Sequence, residues 1–284
     1  MVVHVVLVPR GIKTRLDAMG LPRRVGLSLA LAGIDPRAIV TAVIGAPRYL
    51  AQFVRYNRLA RTSGVATARL SQAVPVLTDA SAQAGAGHSE YFLADLHVAR
   101  LVHAQHPDRH VDVGSRIDGL IAHLLTFVEV EVVDIRPLTS DIPGLRFVQA
   151  DAASTDGLAT EPAMSVSSLH ALEHFGLGRY GDKLDPEGHV KGRRSVAALV
   201  APGGWLYIGV PIGRPVTNFN AHRVIAPGVV VDELRHAFDL VGFTAVVDGR
   251  LVDDASPDAY ADVEWVLGIY QLRRRPAGSS HTLA

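Results

Sequence analysis

Cysteine is absent from the 284 residues, which excludes disulfides, zinc–thiolate sites and a cysteine nucleophile. That absence suits a reducing compartment, so a cytoplasmic protein is the expectation. Net charge is lacking as well: 28 Lys and Arg balance 28 Asp and Glu. General nucleic-acid binding by counterion release is therefore not expected. No uncharged apolar run reaches the roughly 18 residues that suggest a membrane span. The opening MVVHVVLVPRG has neither the basic n-region nor the small-residue cleavage site of a signal peptide. What is plentiful is apolar residue, 48% against 20% charged. That is enough for a sizeable core in one large domain or two small ones.

The character of the chain changes near residue 80. Residues 1–79 are rich in Ala, Val and Arg and read as a mainly helical extension. Asp35-Pro36 reads as an N-cap followed by proline at the first helical position. Between Ala46 and Arg61, Leu50, Phe53 and Val54 share a face, with Arg48, Arg55, Arg58 and Arg61 spread around them. This is a packed helix with a solvated rim, or a helix for a membrane surface or an anionic substrate. The small-residue run ASAQAGAGH (80–88) reads as a joint. PAGSSHTLA (276–284) reads as a flexible tail.

Residues 80–275 alternate in pattern. SEYFLADLHVARLVHA is helical, with Phe92, Leu96, Ala99 and Val102 on one side. HVDVG is a strand and GLIAHLLTF a helix; VEVEVVDI, LRFVQADA and AMSVSSLHAL are strands. VKGRRSVAALV is a helix ended by Pro202-Gly203-Gly204, WLYIGVP a strand, VDELRHAFDLVGF a helix, and TAVVDG and DVEWVLGIYQLRR strands. Such alternation implies a mostly parallel sheet with helices on both faces. In open sheets of this kind the ligand lies beyond the carboxyl ends of the strands.

The first strand–loop–helix unit marks that place. Gly114-Ser115-Arg116-Ile117-Asp118-Gly119 has the spacing of GxGxxG with Arg116 where the middle glycine belongs. In dinucleotide sites that glycine lets the backbone approach the pyrophosphate, so a side chain there disfavours NAD. S-adenosylmethionine (SAM) has no phosphate and demands less of the loop after Gly114. Asp134 ends the second strand, where a carboxylate can take both ribose hydroxyls. Asp151 ends the third, within reach of an adenine amino group. Asp112 sits inside the first strand, to position the loop or meet the ligand's amino group.

DVGSRIDG, VVDIRPL, FVQADA, SVSSLHALEHFGLGRYGD, APGGWLYIGVPIG and FNAHR together resemble a domain-of-unknown-function family within the class I SAM-dependent methyltransferase superfamily. The resemblance covers roughly residues 87–227 and is most specific in EHFGLGRYGD. It implies a Rossmann-like three-layer α/β sandwich, with a seven-stranded, mostly parallel sheet whose last strand is antiparallel. It implies SAM as cofactor, held by Asp112, Gly114, Ser115, Arg116, Asp134, Ile135, Asp151, Ala152 and Ser168. Arg116 and Asp118 stand where the superfamily usually has glycines. Neighbours of the family in polysaccharide and glycan pathways suggest a sugar acceptor by association only.

The segment after the fourth strand should face the methyl group. His174 is the first choice of general base and His170 the second, since histidine titrates near neutral pH; Glu173 orients a histidine or closes over the cofactor. Tyr91, Asp95, Arg179, Tyr180, Asn220, His222 and Arg223 are the candidate acceptor contacts, with Arg223 suited to a phosphate or carboxylate. Asp182, Asp185, Glu187 and His189 form a polar loop that could hold Mg2+ or Mn2+, or simply be solvated. The expected function is methyl transfer to oxygen of a sugar, glycan or other small polar acceptor. A catalytically inactive SAM-fold binding or scaffold protein is the alternative, and a nicotinamide-dependent oxidoreductase a more distant one.

Overall fold

A computed structural model describes residues 36–77, 87, 89–154, 158, 160–253 and 256–277. Asp35, most of the joint at 80–88 and the tail beyond 277 lie outside the described residues. The chain divides into two compact units, residues 1–86 and 87–284.

In the first unit, helix α1 (Pro36–Ser63) carries the arginine-flanked stretch. Leu50 and Val54 are exposed on it and Phe53 is half-buried. Arginines spread around the helix leave only a narrow apolar strip. After α1 the chain folds back: the backbone N–H of Ala68 donates to Asn57 Oδ1 (2.7 Å), and Asn57 Nδ2 donates to the Ala68 carbonyl (3.1 Å).

The second unit begins with α2 (Glu90–Gln105), capped by Ser89, whose hydroxyl accepts from the Phe92 N–H at 3.2 Å. Its buried face is Ala94, Asp95, Val98, Ala99 and Val102, while Phe92 is exposed. The expected stripe had placed Phe92 inward. The strands follow: β1 (Arg109–Val113), β2 (Glu129–Asp134), β3 (Leu145–Gln149), β4 (Ala163–Leu169), β5 (Val200–Ile212), β6 (Val216–Asn218), β7 (His222–Val224), β8 (Phe238–Val247), β9 (Arg250–Val252) and β10 (Val266–Arg274). Eight of them form one sheet in the order β3-β2-β1-β4-β5-β10-β8-β9, and β6 and β7 form a separate hairpin. Pairings from β3 to β5 are parallel. β10 runs antiparallel between β5 and β8. The Rossmann-like α/β expectation is met, with the short β9 added at the edge.

Alternating side chains send strand residues into two cores. Val111, Val113, Val133, Val166 and Ile208 pack with α4 (Gly188–Ala198) and α5 (Val229–Leu234) through Val196, Val230 and Leu234. Val130, Val132, Tyr207 and Ile269 pack on the other face with Ala94 and Val98 of α2 and with Leu120 and Leu124. The helix expected over 119–127 is a kinked turn, Ile117–Ile121, followed by the short α3 (Ala122–Leu124); Gly119 breaks it with non-helical backbone. The helix expected from 231 ends at Leu234, because Phe238 and Phe243 are taken into the sheet side of the core and the segment pairs with β10. The helix expected to end at Pro202-Gly203-Gly204 ends at Ala198, and the three residues lie within β5. Gly203, at φ +79°, supports the register slip between Ala163↔Val200 and Ser165↔Trp205.

Candidate active site

The carboxyl ends of β1, β2 and β4 bring together most of the residues singled out above. Gly114 turns the chain out of β1 at φ +78°, its N–H bonded to the Val133 carbonyl at 2.9 Å. A Cβ there would meet the Ala171 Cβ at 2.8 Å. Asp112 lies fully buried under the turn. Its carboxylate accepts from the Ser115 N–H (2.9 Å) and hydroxyl (2.7 Å), and from the Ser167 hydroxyl. Asp112 therefore positions the loop; of its two expected roles this is the one its contacts serve. Ser115 also accepts from the Leu169 N–H at 3.0 Å, and Ser168 donates to the Val113 carbonyl at 2.8 Å. Both serines are buried, with hydroxyls engaged inside the sheet.

Arg116 holds Asp118 through two bonds of 2.9 and 2.6 Å and lies 5.9 Å above the Tyr91 ring. The two residues that replace the usual glycines thus pair with each other at the rim. Asp95 fits against Gly119, where a Cβ would meet its Oδ2 at 2.4 Å. Burial pushes Asp95 up to about 7, with the nearby Asp112 adding to the shift.

Asp134 and Asp151 leave adjacent strand ends: Asp134 pairs with Gln149, and the Ala150 N–H donates to the Asp134 carbonyl at 3.0 Å. Arg136 covers the Asp134 carboxylate, with its backbone N–H at 2.8 Å, Nε at 3.0 Å and Nη2 at 2.5 Å. The same guanidinium lies 4.9 Å from the Tyr180 ring. Arg136 was not anticipated, although an arginine two residues after a strand-end acid is a readable signal. Asp151 caps its own turn, accepting from Ala153 N–H at 2.8 Å. The Ile135 carbonyl accepts from Gln149 Nε2. Ala152 is buried with the α4–α5 core.

The 3-10 turn Leu172–His174 follows β4. His170 stacks on Tyr91 at 4.0 Å, its buried Nε2 without a partner. Glu173 is buried, and neither carboxyl oxygen has a hydrogen-bond partner. Burial pushes it up to about 8. His174 Nδ1 lies 2.7 Å from the Ala221 carbonyl, which also accepts from Arg179 Nη1 at 2.7 Å. Its Nε2 is 3.6 Å from Glu173. Burial and the Arg179 charge drive His174 down to about 3, and burial and Arg116 do the same to His170. The expectation that these histidines titrate near neutrality is corrected: desolvation keeps both imidazoles neutral. Glu173 has the value closer to a working base.

The remaining candidates separate. Tyr180 packs edge-on against His174 at 5.6 Å and lies under Arg179 at 5.0 Å. His222, in β7, is half-buried and feels the Arg179 charge, and Asn220 is exposed between β6 and β7. Arg223 turns the other way and donates to the Phe175 carbonyl at 2.6 Å.

The Mg2+ expectation is not supported. Asp182 accepts from the N–H groups of Gly176, Gly178 and Tyr180, folding the glycine-rich loop. Asp185 accepts from Lys191 at 2.5 Å and from the Glu187 N–H at 2.9 Å. Glu187 is exposed, and His189 lines a different hollow, about 710 Å3, beside Arg193 and Phe219. Among the described residues no three His, Cys, Asp or Glu side chains are grouped to hold a metal, and no helix is long and apolar enough to cross a membrane.

The fold is similar to that of several solved methyltransferases. The 1,6-didemethyltoxoflavin-N1-methyltransferase of Burkholderia thailandensis matches at TM-score 0.47 and 19% identity, over 65% of this chain and 79% of that one. The N-methyltransferase NodS of Bradyrhizobium japonicum matches at 0.43 and 16%, over 63% and 85%. The O-methyltransferase from the trans-AT PKS multienzyme of Brevibacillus brevis matches at 0.46 and 8%, over 64% and 72%. All three were solved with S-adenosylhomocysteine. No curated protein matches the chain. Residues 149–248, which include the run from Glu173 to Asp182 but not the loop at 112–119, match the family described as Caenorhabditis protein of unknown function, DUF268, and this is a domain-of-unknown-function family as the sequence resemblance implied.

Proposed function

We propose that the protein is a SAM-dependent methyltransferase acting on oxygen of a small polar acceptor, a sugar or glycan among them. The observation that carries this reading is Glu173: a buried carboxyl with neither oxygen hydrogen-bonded and His174 Nε2 3.6 Å away, in the turn that follows β4. An orphaned buried carboxyl calls for a donor or a cation from outside the chain. Asp95, Asp112 and Glu173 are all pushed up by burial, and a ligand carrying a sulfonium and an ammonium would relieve that cost. A pyrophosphate would not, and Arg116 occupies the loop position it needs.

In this reading Asp112 holds the turn through Ser115, Gly114 lets the chain pass close to the cofactor tail, and Asp134 and Asp151 receive the ribose and the adenine. SAM supplies an electrophilic methyl group on a positively charged sulfur. Glu173 would take the proton of the acceptor hydroxyl as that oxygen is methylated. His174 and Arg179, anchored on Ala221, orient the acceptor together with Tyr180 and His222. Alignment supplies the larger share of the rate, roughly 7–11 kcal/mol, against about 3–5 kcal/mol for the base.

Two substitutions test the assignment. Asp134→Ala is expected to weaken SAM binding by about 3 kcal/mol, roughly a hundredfold, through loss of charge-assisted bonds to the ribose. Calorimetry giving unaltered affinity removes Asp134 from the site. His174→Ala is expected to lower turnover while SAM affinity holds within about twofold; unchanged turnover on a productive acceptor removes its orienting role. A SAM-fold protein without catalysis is favoured by one observation, the Arg136 guanidinium seated on Asp134. SAM binding with no S-adenosylhomocysteine released on any of a panel of hydroxyl acceptors would select that reading.

A further inference from the structure

The face of the sheet beneath α2 carries a polar chain of which the proposed function uses only Asp112. His110 and Asp112 alternate along β1, and Ser165 and Ser167 along β4; all four are fully buried. Asp112 and Ser167 are direct partners in the sheet. His110 Nδ1 lies 2.7 Å from Ser165 Oγ, and Nε2 lies 2.8 Å from Ser167 Oγ. Ser167 donates to Asp112 Oδ2, which also accepts from the Ser115 hydroxyl.

A serine has one hydroxyl proton, and this decides the direction of every bond. The Ser167 proton goes to the Asp112 carboxylate, so Ser167 must accept from His110, which is then protonated on Nε2. Nδ1 is bare and accepts from Ser165. We infer that His110, Ser165 and Ser167 form a one-way hydrogen-bond relay that ends on Asp112, and that His110 is a positioning residue: acting through Ser167, it keeps the Asp112 carboxylate aimed at Ser115 and so sets the turn at Gly114. The second half of this inference rests on the cofactor reading above; the first half does not.

The relay has a second state. A proton on Asp112 Oδ2 is donated to Ser167, because the Ser115 hydroxyl keeps Oδ2 as its acceptor while itself accepting from the Leu169 N–H; Ser167 then donates to His110 Nε2. His110 answers by moving its own proton to Nδ1, facing Ser165. Protons are conserved: one is added at Asp112 and one shifts between the ring nitrogens. The ring never becomes a cation, since burial drives His110 down to about 3, whereas Asp112 is pushed up to about 6. The other charged groups bearing on Asp112 are Asp95 from α2 and Asp134 from β2. Both carry negative charge when ionised and favour the protonated state.

The test is the tautomer of His110, read by long-range 1H–15N spectra of the full chain with labelled histidine and no ligand. His110→Gln assigns the resonance by its loss. The expected result is an Nε2–H ring at pH 8 that becomes Nδ1–H, not imidazolium, as pH falls through about 6. Asp112→Asn, whose Oδ1 is kept by the donating Ser115 N–H so that its Nδ2 faces Ser167 as a donor, should hold the Nδ1–H form at every pH. If that variant fails to fold, Ser167→Ala serves instead and should abolish the pH response. A ring in the same tautomer at pH 8 and pH 5, an imidazolium near pH 6, or a pH response that survives Ser167→Ala overturns the relay. For the positioning role, S-adenosylhomocysteine affinity is measured by calorimetry. His110→Leu should weaken it about tenfold, the worth of one hydrogen bond, and His110→Gln, which still donates to Ser167, should restore it to within about twofold. Equal affinity for the Leu variant overturns the positioning role. Failure of the unmodified protein to bind at all overturns the cofactor reading, while the ligand-free spectra judge the relay separately.

Discussion

Glu173→Gln is expected to make the fold more stable at pH 8, on the order of a few kcal/mol, and to lower turnover by about 10²–10⁴-fold. Glu173 is raised from 4.5 to about 8 in the folded chain, so between those values the native state binds more protons than the unfolded state. Unfolding free energy then falls as pH rises through the window. Asp95 and Asp112 act in the same sense up to about 7 and about 6. His110, His170 and His174, driven down to about 3, and His189, driven down to about 4, act in the opposite sense below their ordinary 6.5. The histidines are half protonated at about pH 6.5 in the unfolded state and are neutral in both states only above about pH 7.5, where the raised carboxyls alone remain. Stability should therefore decline from about pH 7.5 to 8.5 in the unmodified protein. In the glutamine variant it should be nearly flat above about pH 7.5. Urea midpoints at pH 6.5, 7.5 and 8.5 read this directly; equal slopes for the two proteins would show that Glu173 is not carried neutral into the interior. Greater stability joined to lost turnover is the pattern of a residue kept for function.

Gly114→Ala is expected to destabilise the fold by about 2–5 kcal/mol and to abolish S-adenosylhomocysteine binding. Two effects add. The left-handed backbone at φ +78° costs a residue with a Cβ roughly 1–2 kcal/mol. The new methyl group would stand 2.8 Å from the Ala171 Cβ, and overpacking of this kind costs about 1–3 kcal/mol. Gly203 separates the two: its φ is +79°, and a Cβ there meets nothing within 4 Å. Gly203→Ala should therefore show the backbone part alone, about 1 kcal/mol. Adding Ala171→Gly to Gly114→Ala should recover the contact part. Equal loss at Gly114 and Gly203 in denaturation would remove the close packing between the β1 turn and the segment after β4.

The architecture was legible because its signals are local. HVDV and VEVEVVD carry valine at every second position and LRFVQ is a short apolar run, and the strands form there. Strand-end acids at Asp134 and Asp151 and the turn at Gly114 follow from the same reading, since a strand that ends in a carboxylate must present it beyond the sheet. Periodicity failed where two signals overlapped. VDELRHAFDLVGF satisfies a helical spacing, yet Phe238 onward pairs with β10. Pro202-Gly203-Gly204 reads as a stop, yet the glycine's positive φ lets β5 absorb it as an irregularity.

The residues themselves determined which chemical groups this protein can use: no thiol, a glycine turn without the phosphate-binding glycine, and carboxylates and histidines gathered after predicted strands. Only the tertiary structure decided what those groups are. Ser167 reaches Asp112 across 55 residues, Arg136 closes over Asp134, and Arg223 turns away to Phe175. Burial then raised Glu173, Asp95 and Asp112 toward neutral titration and silenced the histidines. Water removal and long-range pairing set protonation, and neither is written in the spacing of a single strand.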